Sequence, residues 1–163
     1  MTRPTLLNSC AYAATSAEAR FRITGRPRVA RATRVIALDA GAAEMVHRLA
    51  ALPWPGVRFL CYEPDGRERA EVVLTRLDGV QVWLCGELTD ADFAMMVATG
   101  DDGASVAAAI GNACTRRGIM TAGLIIGDDG QAHAAASALR PHARVLLTSP
   151  DEDDAAAILS AVG

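Results

Sequence analysis

Short apolar runs alternate with amphipathic stretches along the chain after residue 33. Six of the runs have strand character, and most of the stretches between them are alanine-rich with helical spacing. In the first helical stretch, Met45, Val46, Leu49 and Leu52 fall on one stripe. The pattern predicts strands at residues 34–40, 56–63, 79–88, 92–99, 120–127 and 143–149.

This alternation indicates a fold class. Strands and helices joined by short loops are typical of a parallel sheet with helices on both faces. The sequence therefore predicts an α/β, doubly wound (Rossmann-like), three-layer domain with a mostly parallel six-stranded sheet. Residues 67–77 are ambiguous, because their pattern suits either a helix or another strand. At 163 residues the chain is long enough for one domain of this kind.

The first 33 residues differ from the rest of the chain. They contain six arginines and one acid, Glu18, and their apolar residues show little periodicity. We predict a basic N-terminal arm or loosely packed segment over residues 1–33, followed by the α/β domain over residues 34–163. An acidic partner would suit such an arm. Nucleic acid is not expected, because no regular series of aromatic residues is interleaved with the arginines.

Composition excludes several kinds of chemistry. The chain contains no lysine, and all sixteen of its basic residues are arginine. The lysines of a P-loop, a Schiff base and a phospho-receiver site are therefore missing. The four cysteines are too far apart in sequence for a zinc-type pair. No apolar run could span a bilayer and no secretory signal is visible, so we expect a cytoplasmic protein without a membrane partner.

Acidic residues follow every predicted strand. Because the carboxyl ends of parallel strands meet at one edge of the sheet, these side chains should lie along the ligand-binding edge. Such a group suits a cation or a basic partner, although ordinary loop and helix-capping roles explain the same pattern. We predict Asp101, Asp102 and Asp128 as metal ligands. The other acids at strand ends are Asp39, Glu63, Asp65, Glu87, Asp129 and Asp151.

Two loops have the strand, glycine and helix pattern with which many α/β proteins hold a phosphate. The first follows the strand at residues 34–40, and the second lies within residues 95–113. Two carboxylates in the second loop would repel a phosphate unless a metal ion lay between them. The predicted cofactor-binding residues in the two loops are Asp39, Gly41, Gly100, Gly103 and Ser105.

The order of these segments resembles the nucleotide-binding half of the FtsZ/tubulin family over about residues 34–154. Residues 88–105, LTDADFAMMVATGDDGAS, resemble the family's aspartate, apolar strand and signature GGGTGTG. Residues 116–127, RRGIMTAGLIIG, resemble the segment after the signature helix. The first turn, VIALDAGAAEMVHRL, and the last strand, LRPHARVLLTSPDEDD, also resemble their counterparts. The resemblance implies a guanine nucleotide with Mg²⁺ as the cofactor.

The departures from the family fall on the residues that would contact phosphate. DGASVAA at residues 102–108 replaces GGGTGTG, and DAGAAE at residues 39–44 replaces GGGGNN. Each loop keeps one glycine, and the added side chains hinder the approach of backbone N–H groups to a phosphate. The chain also ends before the second domain that completes hydrolysis in a neighbouring FtsZ/tubulin subunit. The resemblance therefore implies a domain that is not a filament-forming GTPase.

Two functions remain open from the sequence. The first is a diverged, truncated FtsZ/tubulin-like domain that binds a nucleotide weakly or acts through contacts with a protein partner or a second copy of itself. The alternative is a small cytosolic enzyme, for example a transferase on a small metabolite, that uses the carboxyl edge of the sheet. A closed pocket with a convergent acid and base would favour the enzyme, and an open acidic edge would favour the binding domain.

Overall fold

Strands and helices alternate in the computed structural model of the chain, which describes residues 31–67, 69–127, 132–149 and 153–162. No helix among these residues is long and apolar enough to cross a membrane. The strands are β1 (Thr33–Ala37), β2 (Val57–Cys61), β3 (Val73–Arg76), β4 (Gln81–Trp83), β5 (Phe93–Ala98), β6 (Met120–Ile126) and β7 (Val145–Ser149). The helices are α1 (Ala40–Leu49), α2 (Leu84–Glu87), α3 (Ala104–Arg117), α4 (His133–Leu139) and α5 (Asp153–Val162).

The strands form one sheet in the order β4-β3-β2-β1-β5-β6-β7. The five strands from β2 to β7 in this order are parallel, whereas β3 is antiparallel to both β2 and β4. This arrangement confirms the predicted α/β, Rossmann-like three-layer fold with a mostly parallel sheet. The sheet has seven strands, however, and not the predicted six.

The difference lies at the β3–β4 edge of the sheet. Strand β3 comes from the ambiguous segment at residues 67–77, and it forms a hairpin with β4 in which Gly79 has a φ of 84°. The predicted strand at residues 79–88 is wrong in its second half, which forms α2. Leu84 and Leu88 are four residues apart and both buried, a spacing that places them on one face of a helical turn.

Both faces of the sheet are covered by helices. On one face, Ile36 and Met96 pack in a cluster with Ile110 of α3 and Leu139 of α4. The side chains of successive strand residues point to opposite faces, so Val35 belongs to a second cluster that includes residues of α1 and α5. Every residue of β1 and β5 is buried. The centre of the sheet is therefore the core of the domain, and its loops define the site.

An ion cluster around the buried side chains of Glu87 and Arg34 joins the first three strands to α2. The side chain of Glu87 is only 3 % exposed, and that of Arg34 only 1 %. Arg76 Nε donates to Glu87 Oε1 at 3.0 Å, and Arg58 NH1 donates to Glu87 Oε2 at 3.3 Å. Arg34 Nε donates to the backbone carbonyl oxygen of Glu87 at 2.8 Å, and its guanidinium also contacts Asp90. The prediction that Glu87 lies at the carboxyl edge is therefore wrong, because it binds arginines near the amino ends of β1 and β2.

The predicted basic arm at residues 1–33 lies outside the described residues, except for residues 31–33. Thr33 is buried and already belongs to β1, so the sheet begins one residue before the predicted domain boundary.

Candidate functional site

The sheet has a topological switch point between β1 and β5. The chain continues from β1 to β2 on one side and from β5 to β6 on the other. In sheets of this kind, ligands bind in the crevice at the carboxyl ends of the two strands where the order reverses. The backbone N–H of Leu38 donates to the carbonyl oxygen of Val97 at 2.9 Å, so the two loops leave the sheet side by side. The structure thus brings together the two glycine-containing loops that the sequence singles out.

Asp39 bridges these two loops. It precedes the first residue of α1, and its Oδ1 accepts hydrogen bonds from the backbone N–H of Ala42 at 2.9 Å and the hydroxyl of Thr99 at 2.6 Å. Its Oδ2 accepts from the backbone N–H groups of Thr99 at 2.7 Å and Gly100 at 3.1 Å. Asp39 is only 7 % exposed. One carboxylate therefore caps α1 and links the two loops that form the crevice. We call this arrangement the closed crevice.

The ionisation of Asp39 follows from these contacts. Burial alone would raise the pKa of its carboxyl group, but the hydrogen bonds from the Thr99 side chain and from the backbone of Ala42, Thr99 and Gly100 outweigh burial. The pKa lies below its usual value, so Asp39 is ionised at neutral pH. Its carboxylate accepts hydrogen bonds from backbone N–H groups of the kind that would otherwise bind a phosphate at a helix N-terminus.

Two of the predicted phosphate-binding glycines allow close packing between the loops. A Cβ atom on Gly103 would lie 2.4 Å from the backbone oxygen of Leu38, and one on Gly41 would lie 2.3 Å from Thr99 Oγ1. Gly100 is different, because a Cβ atom there would have no neighbour within 4 Å. Gly41 and Gly103 are therefore needed for the contact between the loops, whereas the position of Gly100 has room for a side chain.

We expect Gly103→Ala to lower the free energy of unfolding by about 1–3 kcal/mol, because the added methyl group would overlap the backbone of Leu38. The matched control is Gly100→Ala in the same loop, which has room for a methyl group and a negative φ. That variant should change the free energy of unfolding by less than about 1 kcal/mol. Urea unfolding measures both. Equal effects of the two substitutions would contradict the close contact between the loops.

The predicted metal ligands do not form a metal site among the described residues. Asp101 Oδ1 accepts a hydrogen bond from the backbone N–H of Ala135 at 3.0 Å, in the first turn of α4, and Asp102 is exposed. Asp128 lies outside the described residues. Within the described ranges, no group of three or more histidine, cysteine or acidic side chains could hold a metal ion. A site that uses Asp128 stays a prediction.

Ser105, the fifth residue of the predicted cofactor site, faces a cavity beside the crevice. This cavity has a volume of about 280 Å³ and lies between the end of β2, represented by Tyr62 and Glu63, and the first turns of α3. Strand order accounts for its position, because β2 is the neighbour of β1. Glu63 is one of the acids predicted at strand ends. Tyr62 is not among the predicted site residues, although its place directly after the apolar strand β2 is a signal for it.

Comparison with known proteins leaves the family open. No protein-family model matches the chain, and no curated protein matches it. The resemblance to the FtsZ/tubulin family is therefore neither supported nor contradicted by these comparisons and stays a proposal.

Proposed function

We propose that the chain is a diverged FtsZ/tubulin-like domain that acts through protein contacts. It no longer binds a nucleoside triphosphate in the crevice at the switch point between β1 and β5. The observation that carries this proposal is the position of Asp39, whose carboxylate accepts hydrogen bonds from Ala42 in the first turn of α1 and from Thr99 and Gly100 just after β5. A second copy of the chain or another protein is the proposed partner.

The energetics of phosphate binding support this proposal. A phosphate held by the donors that Asp39 now binds would have to displace Asp39 from four hydrogen bonds, and hydrogen bonds to a charged group contribute about 1.5–3 kcal/mol each. The displaced carboxylate would then repel the phosphate, as would Asp101 and Asp102 in the β5–α3 loop. Backbone donors that hold a phosphate in related folds therefore bind Asp39 in this domain, and the nearby carboxylates add repulsion.

Calorimetry with GTP, in the presence and absence of magnesium, tests the proposal. We expect no binding at micromolar GTP, and we expect no rise in light scattering when GTP and magnesium are added together. Inorganic tripolyphosphate is the matched control for the phosphate groups alone. Micromolar binding of GTP, or polymers that appear only with GTP, would refute the proposal.

The cavity beside the crevice favours a second candidate function, a small enzyme such as a transferase on a small metabolite. A concave site at the carboxyl edge with hydroxyl and carboxylate groups is where such an enzyme would bind its substrate. Among the described residues, however, no histidine or carboxylate hydrogen-bonds to Ser105, the hydroxyl group nearest the helix start. The arrangement of a nucleophile with its base is therefore not found there, and binding is the better-supported role.

A further inference from the structure

The cavity at the end of β2 has the shape of a small-molecule site. Its volume of about 280 Å³ is close to the lower limit for ligand pockets, so it suits a small compound. Val72 and Val106 contribute apolar surface. Tyr62 is half-buried and packs against the core, and its backbone N–H donates to the carbonyl oxygen of Ala37 at 2.8 Å. One wall of the cavity is therefore anchored to the sheet.

Several polar side chains of the cavity have no hydrogen-bond partner in the part of the chain that the structure describes. They include the hydroxyl groups of Tyr62, Thr75 and Ser105, the amide of Gln81 and the carboxylate of Glu63. Asp65 differs, because it accepts hydrogen bonds from the backbone of Arg67 and the side chain of Arg69. A ligand in the cavity would find donors and acceptors that the domain itself does not use.

The charges around the cavity argue against an anionic ligand. Three acids, Glu63, Asp65 and Glu71, line it together with two arginines, Arg67 and Arg69. Both arginines are attracted to Asp65. The described lining is therefore acidic on balance, and a phosphate or carboxylate would gain little there.

The position of Glu63 indicates the class of ligand. It stands two residues after the last residue of β2, on the edge where the crevice opens. In doubly wound sheets, a carboxylate at this place accepts hydrogen bonds from the hydroxyl groups of a ribose. The two oxygens of Glu63 match the two donors of a vicinal diol, and the Ser105 hydroxyl, which also lines the cavity, can bind a further polar group.

We propose that this cavity binds an uncharged small molecule with a vicinal diol, either a nucleoside or a free sugar. Asp39 fills the neighbouring phosphate position, so the ligand that fits carries no phosphate group. In that respect the inference rests on the proposed function. The diol binds to Glu63, and the flat or apolar part of the ligand lies against Tyr62 and Val106.

Calorimetry on the full chain with adenosine, guanosine, ribose, 2′-deoxyadenosine and ATP tests this inference. Adenosine or ribose should bind, and 2′-deoxyadenosine should bind at least about tenfold more weakly than adenosine because it lacks one hydroxyl of the diol. Glu63→Gln should weaken binding of the diol ligand by about tenfold or more. Glu44→Gln is the matched control, because Glu44 is exposed on α1 and does not line the cavity.

The outcomes separate this inference from the proposed function. Binding of adenosine but not ribose assigns the site to nucleosides, and equal binding of both assigns it to sugars. No binding of any diol, or equal binding of adenosine and 2′-deoxyadenosine, overturns the inference and leaves the closed crevice intact. If ATP binds more tightly than adenosine, the crevice is open to phosphate, and that result overturns the proposed function.

Discussion

Replacing Glu87 by glutamine should lower the free energy of unfolding by about 3–5 kcal/mol. The side chain of Glu87 is 3 % exposed and forms ion pairs with Arg34, Arg58 and Arg76. Removing one partner of a buried ion pair leaves an uncompensated charge in a place that water reaches poorly. Arg34 is 1 % exposed, and among the described residues the variant would leave it with only one carboxylate partner, Asp90, which is 60 % exposed. Urea unfolding at neutral pH measures the effect.

The exposed acid of the same cluster provides the matched control. Asp90 contacts Arg34 and Arg58, but its side chain is 60 % exposed. Asp90→Asn should therefore cost less than Glu87→Gln, about 1 kcal/mol, because the Asp90 carboxylate is mostly in water. Similar losses in the two variants would contradict the view that burial makes Glu87 important.

The pH dependence of the free energy of unfolding shows whether Glu87→Gln acts through the lost charge or through a change in packing. Burial alone would raise the pKa of Glu87, but the hydrogen bonds from Arg76 and Arg58 outweigh burial, so the pKa lies below its usual value. A carboxyl group with a lowered pKa in the folded state stabilises the fold above its unfolded pKa, and this contribution is lost as pH falls through the folded pKa. The difference in stability between the native chain and the variant should therefore shrink as the solution is acidified below about pH 4.

The sequence predicts the centre of the fold better than its edge. β1 and β5 are buried on both faces, and such strands appear as continuous apolar runs. β3 and β4 lie at one edge, where most residues are partly exposed, so neither a continuous run nor a clear alternation marks them. The helix α2 has only four residues, which is too short for a helical period to show.

The sequence also predicts where the site lies, but not which residues bind each other there. Strand ends locate the loops, since parallel strands bring their carboxyl ends to one edge. The bonds that decide the chemistry join residues far apart in the chain. Asp39 binds Thr99, and Arg34 binds Glu87, and no local pattern links the members of either pair. An aspartate after a strand predicts a helix cap or a ligand equally well, and the structure shows the cap.

Asp39→Gly should lower the free energy of unfolding by about 2–4 kcal/mol. Glycine is itself an acceptable residue before a helix, so most of the loss comes from the bonds to Thr99 and Gly100 in the other loop. Asp39→Asn is the matched control, because it removes the charge but keeps the volume and one acceptor oxygen. We expect it to lose less stability than the glycine variant. Thermal and urea unfolding give both values.

Melting temperature as a function of inorganic phosphate tests the closed crevice most directly. Asp39→Gly empties the crevice and frees the N–H groups of Ala42, Thr99 and Gly100 for an anion. Phosphate at tenfold its dissociation constant adds about 1.4 kcal/mol of stability by mass action, or about 3–6 °C for a chain of this size. At matched ionic strength, we predict this rise in Asp39→Gly and no rise in the native chain or in Asp39→Asn. A rise in the native chain as large as that in Asp39→Gly would show that its crevice is already open to phosphate.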